Sequence, residues 1–255
     1  MPGASDSKRS FRDLTPLWPA GVEAVFHNVA GLTGELGLSA SYRWQSEVDL
    51  LAADLMRLGE DQIYLLGISA GASLALAYVA IDPGRIAGLG LIEPAWSYLP
   101  LTTIEQHYYA DLNVVLELQP NEQRDAFVRL LVQPGIELPP VTSTAQRGYQ
   151  GVQRPEDTAL AIVTRAMQGH CVESADLRAF RGPVYVGVGG RSNPMWRAQA
   201  AQIKAALPQT IVDVYPDRHH LDLPHHAEAE RLCRALIDAW NLLPLESPSH
   251  RRLPG

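Results

Sequence analysis

Two stretches of this 255-residue chain, with one acid between them, hold side chains that could cooperate in covalent chemistry. The first is GISAG at residues 67–71, set between the apolar run IYLL and the small-residue run ASLALAYVA. A serine flanked at two residues by glycines, after a strand and before a helix, reads as a nucleophile elbow. Such a turn is sharp and strained, and side chains at Gly67 or Gly71 would crowd Ser69. The small residues Ala70, Ala72, Ser73 and Ala75 let the helix approach the sheet, and its free N–H groups favour negative charge developing beside Ser69. The bland alternative is a tight turn with a solvent-facing hydroxyl. Ser73, one turn later, reads as a structural residue bonding back to the chain.

A serine needs a base, and the second stretch, YPDRHHLDLPHHAE at residues 215–228, offers four histidines after the last strand and before the last helix. His225 and His226 fall at the helix start and read as surface residues, which leaves His219 and His220. A carboxylate is harder to find. The residues after the strand at 184–188 are GGRSNPMW, with Ser192 and Asn193 where an aspartate would serve, and neither stabilises an imidazolium as a carboxylate does. Glu93, in LIEPAW, ends the strand that follows the elbow helix, and that strand end opens onto the same crevice. Its competing reading is a helix cap or salt bridge. Asp213 and Asp217 are outside candidates, close to the histidines in sequence only.

These groups must be held by an α/β framework. Apolar runs suited to buried parallel strands recur at 22–29 (VEAVFHNV), 62–66, 86–92 (IAGLGLI), 184–188 (VYVGV) and 211–215, with helical patterns between several of them. Ser46 is a candidate cap for a helix placing Val48, Leu51, Leu55 and Met56 on one side and ending near Gly59. Further helices are predicted over 70–81, stopped by Asp82-Pro83-Gly84, and over 226–240, with Leu232, Cys233, Leu236 and Trp240 on its apolar face. Residues 95–180 break the alternation. They read as a helical cap insertion, with helices near 103–118, 121–132 and 156–167 and with the aromatics Trp96, Tyr98, Tyr108 and Tyr109. The expected organisation is a core of 1–94 plus 181–246, this insertion, and a loose tail at 247–255.

Composition narrows the function. A formal charge of -7 and the lack of a basic stripe with interleaved aromatics oppose nucleic-acid binding. Cys171 and Cys233 have neither metal-ligand spacing nor the density of a disulfide framework, and read as free thiols of a reducing compartment. No apolar run reaches membrane-spanning length and the N-terminus has no signal-peptide core, so a cytoplasmic protein without membrane partners is expected. GISAGAS lacks both G-x-G-x-x-G and a P-loop lysine, which weakens a nucleotide-binding reading. Nothing in the chain speaks to oligomeric state.

Gly67-Ile68-Ser69-Ala70-Gly71, the late histidine and the strand order resemble the α/β-hydrolase superfamily over nearly the whole chain, in its esterase- and thioesterase-like branch. The resemblance implies a mostly parallel sheet flanked by helices, with Ser69 as nucleophile. His220, in H-L-D-x-P, is placed most like family histidines preceding a proline-led final helix, and Glu93 stands where some relatives carry their acid. It also sets Pro2-Gly3-Ala4 where His-Gly-x usually stands, so that the Ala4 and Ala70 amides would form the oxyanion hole. The third strand of the family should be ending where this chain starts, and N-terminal strands are accordingly expected to be missing. The implied reaction is cofactor-free hydrolysis of an ester or thioester of a small-to-medium apolar substrate. The alternatives are carbon-carbon bond hydrolysis or perhydrolysis with the same serine, and a binding protein with a decayed triad.

Overall fold

The computed structural model describes residues 1, 11–33, 38, 41–60, 62–138 and 156–242. Four parallel strands form one sheet in the order β1 (Ile63–Ile68), β2 (Ile86–Ile92), β3 (Val184–Gly189) and β4 (Thr210–Tyr215). Helices come in chain order as α1 (Ala30–Thr33), α2 (Trp44–Leu58), α3 (Ala70–Ile81), α4 (Thr103–Leu116), α5 (Pro120–Leu130), α6 (Glu156–Gln168), α7 (Ser174–Leu177), α8 (Met195–Ala206), α9 (Pro224–Ala227) and α10 (Ala229–Ala239).

The central strands β2 and β3 are covered on both faces, which is why they are apolar throughout rather than alternating, while β4 (TIVDVY) is only partly covered. Leu65, Leu89, Leu91, Val184, Val186 and Val188 point into a core shared with α2, α3 and α8. The other face, with Ile68, Ile92 and Tyr185, packs against Leu232, Cys233, Leu236 and Trp240 of the last helix. The glycines of IAGLGLI serve this second layer. A Cβ on Gly88 would lie 2.7 Å from the Trp240 ring, and one on Gly90 3.0 Å from Leu236. α3 is apolar all round because it lies sandwiched, with only Ala80 and Ile81 not buried.

Several expectations need correction. Residues 22–29 form no strand, and Val25 is 56% exposed. A strand needs a ladder partner. On the outer side of β1, Met1 takes that place, donating its ammonium to the Leu66 carbonyl at 2.6 Å and accepting from the Ile68 amide at 3.0 Å. The 22–29 segment is instead pinned to α2 by side chains: His27 meets Asp54 at 2.6 Å, and the buried Glu47 carboxylate accepts from the Ala30 and Gly31 amides. α2 itself starts at Trp44 with Arg43 as its N-cap, so Ser46 lies inside the first turn, because the buried Trp44 ring anchors the helix start. Met56 is exposed on that helix, and Gly59 closes it in the left-handed conformation, at φ 68°. The last helix starts at Ala229, after the short turn α9.

Between β2 and β3 the chain forms α4 to α7. A capping box of Thr102 and Glu105 opens α4. The segment after α5 is stitched to the loop after β3: Val132 bridges Ser192, the Asn193 amide donates to the Leu131 carbonyl, and its side chain donates to that of Leu130. The expected tail at 247–255 lies outside the described residues.

Candidate active site

Ser69 follows β1 directly and opens α3, with φ 51° and ψ -118°, a conformation an L-residue adopts only under strain. Its neighbours hold it there. The Ser69 amide donates to the Ile92 carbonyl at 2.9 Å, while its own carbonyl accepts from the Ala72, Ser73 and Ala95 amides. A Cβ on Gly67 would lie 2.4 Å from the Gly71 carbonyl oxygen and 2.5 Å from the Ala72 Cα, so the turn closes only around glycine. Ser73 accepts from the Trp96 amide at 2.8 Å and points back to the Ser69 carbonyl, a structural role.

Glu93 is the first residue after β2, also at positive φ (46°), and is wholly buried. Ile68 and Ile92 are register partners, so Ser69 and Glu93 leave the sheet on the same rung. The two oxygens of Glu93 are divided: Oε1 accepts from the Gly189 amide at 2.6 Å, and Oε2 faces His220 Nδ1 at 2.6 Å. His220 Nε2 lies 3.2 Å from Ser69 Oγ. Because a carboxylate only accepts, Nδ1 carries the ring proton and Nε2 presents its lone pair to the serine.

His219 turns away from Ser69, its Nδ1 accepting from the Leu221 amide at 3.2 Å, and burial lowers its pKa. Asp213 is engaged with Tyr185 and Arg231, and Asp217 is exposed. His225 is not on the surface as expected. It is buried against Phe11, which comes from a stretch whose packing on the last helix sequence pattern did not disclose. Asn193 caps the start of α8 by accepting from the Met195 amide, and Ser192 is buried. Ala70 is buried at the first turn of α3, where helix amides have no intrahelical carbonyl to bond. Ala4 lies outside the described residues.

One residue missing from the sequence reading is Trp196 of α8. Its ring stacks on His220 with centroids 4.1 Å apart and planes 11° apart, while its Nε1 donates to the Pro94 carbonyl beside Glu93. Nothing in GGRSNPMW marks this tryptophan, since the stacking depends on where α8, packed on β3, β4 and α4, brings it beside the loop of His220. A cavity of about 40 Å³ opens over Ser69, Ala70 and His220. Its walls come from Tyr108 and Leu112 of α4, Phe127, and Val163, Thr164 and Met167 of α6. Among the described residues, no group of three or more His, Cys, Asp or Glu is placed to hold a metal ion, and no helix is long and apolar enough to cross a membrane.

The layered parallel sheet with a strained serine at the end of β1 is the α/β-hydrolase architecture. Residues 1–235 match the sequence profile of the alpha/beta hydrolase family, and the chain belongs to that family. Solved structures share its fold at low identity. An alpha/beta hydrolase from a Medee basin deep-sea metagenome library superposes with a TM-score of 0.64 at 14% identity, over 97% of this chain and 90% of that one. A thermophilic esterase from Thermogutta terrifontis gives 0.58 at 20% identity, over 82% and 76%. The naproxen esterase (carboxylesterase NP) of Bacillus subtilis gives 0.58 at 15%, over 92% and 81%. No curated protein matches the chain.

Proposed function

We propose that this hydrolase cleaves a carboxylic ester or thioester of a small-to-medium substrate through a covalent Ser69 acyl-enzyme. The reading is carried by one observation, the unbroken relay from Ser69 Oγ through His220 to the buried Glu93 carboxylate. His220 Nε2 accepts the Ser69 proton as Oγ attacks the carbonyl carbon, and returns it to the leaving alcohol or thiol. A water then attacks the acyl-enzyme with His220 again as base. Glu93 holds the tautomer and offsets the charge of the imidazolium. The Ala70 amide, at the helix start, is suited to the oxyanion, and the family resemblance assigns the partner donor to Ala4. Helices α4 to α7 act as the cap that shapes the acyl-binding space, consistent with the esterases among its structural neighbours.

Fluorophosphonate labelling with intact-mass analysis and peptide mapping tests this reading. A single adduct on Ser69, lost in Ser69→Ala together with hydrolysis of 4-nitrophenyl butanoate, is the expected result. Labelling elsewhere, or hydrolysis that survives Ser69→Ala, would sink it.

A further inference from the structure

Beyond Ser69, His220 and Trp196, the cavity is apolar except at two places. Tyr108 of α4 and Thr164 of α6 both line it, and both are more than nine-tenths buried, at 6% and 7% exposure. Neither hydroxyl makes a hydrogen bond among the described residues. The Tyr108 ring is fixed by an edge contact to Tyr109 (5.2 Å) and a tilted one to Trp196 (5.7 Å), so its position is set by packing. Both residues are buried as wholes, but neither hydroxyl oxygen is sealed off, so each can take a partner that comes to it. A helix-borne threonine usually bonds back to the preceding turn, and Thr164 does not. At about 10–15 Å³ for each water, the cavity has room for about three water molecules that could serve both groups before substrate arrives.

We propose that Tyr108 and Thr164 form a polar subsite, so that the preferred substrate is an ester bearing a further oxygen (ether, hydroxyl or ketone) rather than a plain hydrocarbon ester. This rests on the serine-hydrolase reading and refines its substrate class. Burial and the neighbouring Glu93 charge push the Tyr108 phenol above its ordinary value, so it stays protonated and donates. Thr164 can donate or accept. The surrounding Leu112, Phe127, Leu160 and Met167 supply shape but no polar discrimination. A site built to hydrogen-bond a substrate oxygen rejects the analogue lacking it far more strongly than an apolar pocket discriminates by size.

The test uses near-isosteric pairs: methoxyacetyl against butanoyl esters, and 2-methoxyethyl against butyl esters. The ratio of kcat/KM within each pair is compared between the wild type and the Tyr108→Phe/Thr164→Val double variant, which cancels intrinsic reactivity. A drop of at least tenfold in the oxygen preference, in either pair, is expected on the precedent of hydroxyl-reading sites. An unchanged ratio in both pairs overturns the subsite. Should the double variant fail to fold, Tyr108→Phe alone is read the same way, with a drop of at least threefold expected. Calorimetric binding of the same esters to Ser69→Ala separates the two readings. If the wild type hydrolyses no ester, a binding preference for the oxygen-bearing member that disappears on adding Tyr108→Phe keeps the subsite and removes the hydrolase assignment. Equal binding within each pair removes the subsite.

Discussion

At the residue scale, the proposed relay depends on Glu93 being a carboxylate more than on its being tethered. Replacing it with glutamine keeps an oxygen to accept the Gly189 amide, so the side chain should stay in place. The amide nitrogen then faces His220 Nδ1 with hydrogens of its own, which drives the ring proton to Nε2 and takes the lone pair away from Ser69. We expect Glu93→Gln to lower kcat by about 10³–10⁴, as wrong-tautomer substitutions do, with KM and thermal stability little changed. Steady-state kinetics with 4-nitrophenyl butanoate, alongside a thermal melt, check both halves. The sharp turn at Ser69 was legible in the sequence because the glycines around it answer a steric demand that few other contexts make. His220 could be separated from His219 only by family likeness, since adjacent loop residues of one type differ only in which way the backbone turns them. Trp196 left no trace at all, because stacking between a helix and a distant loop has no sequence period.

At the element scale, the elbow is a packing problem solved by absence. The Gly67 Cβ position overlaps backbone atoms of the helix it precedes, and backbone cannot swing aside as a side-chain end can. Gly67→Ala should therefore destabilise the fold by about 1–3 kcal/mol and lower fluorophosphonate reactivity as α3 shifts, measured by urea denaturation and labelling rate. The strands β2 and β3 and the helix α3 were readable because burial on all sides leaves little ambiguity, and β1, β4, α4 and α6 from shorter apolar runs and breakers. The 22–29 segment was not, since VEAVFHNV has strand composition but no strand beside it to pair with. Composition reports what a segment can do, and neighbours decide what it does. In place of a ladder, the segment carrying Leu32 to the cavity wall is fastened by Glu47, a buried carboxylate on α2 whose i, i+4 surroundings look like any amphipathic helix.

At the scale of the whole molecule, the site joins parts far apart in the chain, among them the loop carrying His220. That loop is held from two sides. The Arg218 carbonyl accepts from the Arg191 amide at 2.8 Å, and the Arg218 guanidinium pairs with Glu228 at 2.8 Å, ahead of the last helix. Hydrogen bonds from Arg218, with Arg231 behind it, hold the Glu228 carboxyl below its ordinary value of 4.5. The unfolded chain therefore binds a proton before the folded one does. The stabilisation is complete above pH 4.5 and is lost as pH falls through the lower folded value. Glu228→Gln should lower the melting temperature at pH 7, and the gap to the wild type should close as the melts are repeated below pH 4.5. The sharing of one rung by Ser69 and Glu93 has a separate consequence for how such a protein can diverge. On the proposed serine-hydrolase reading, nucleophile and acid are carried by adjoining strand ends, and the loop after β3 is relieved of catalytic duty. What it keeps is the seam to Leu130, Leu131 and Val132, so substitutions at Ser192 and Asn193 can re-aim the roof of the cavity while the chemistry beneath it is inherited unaltered.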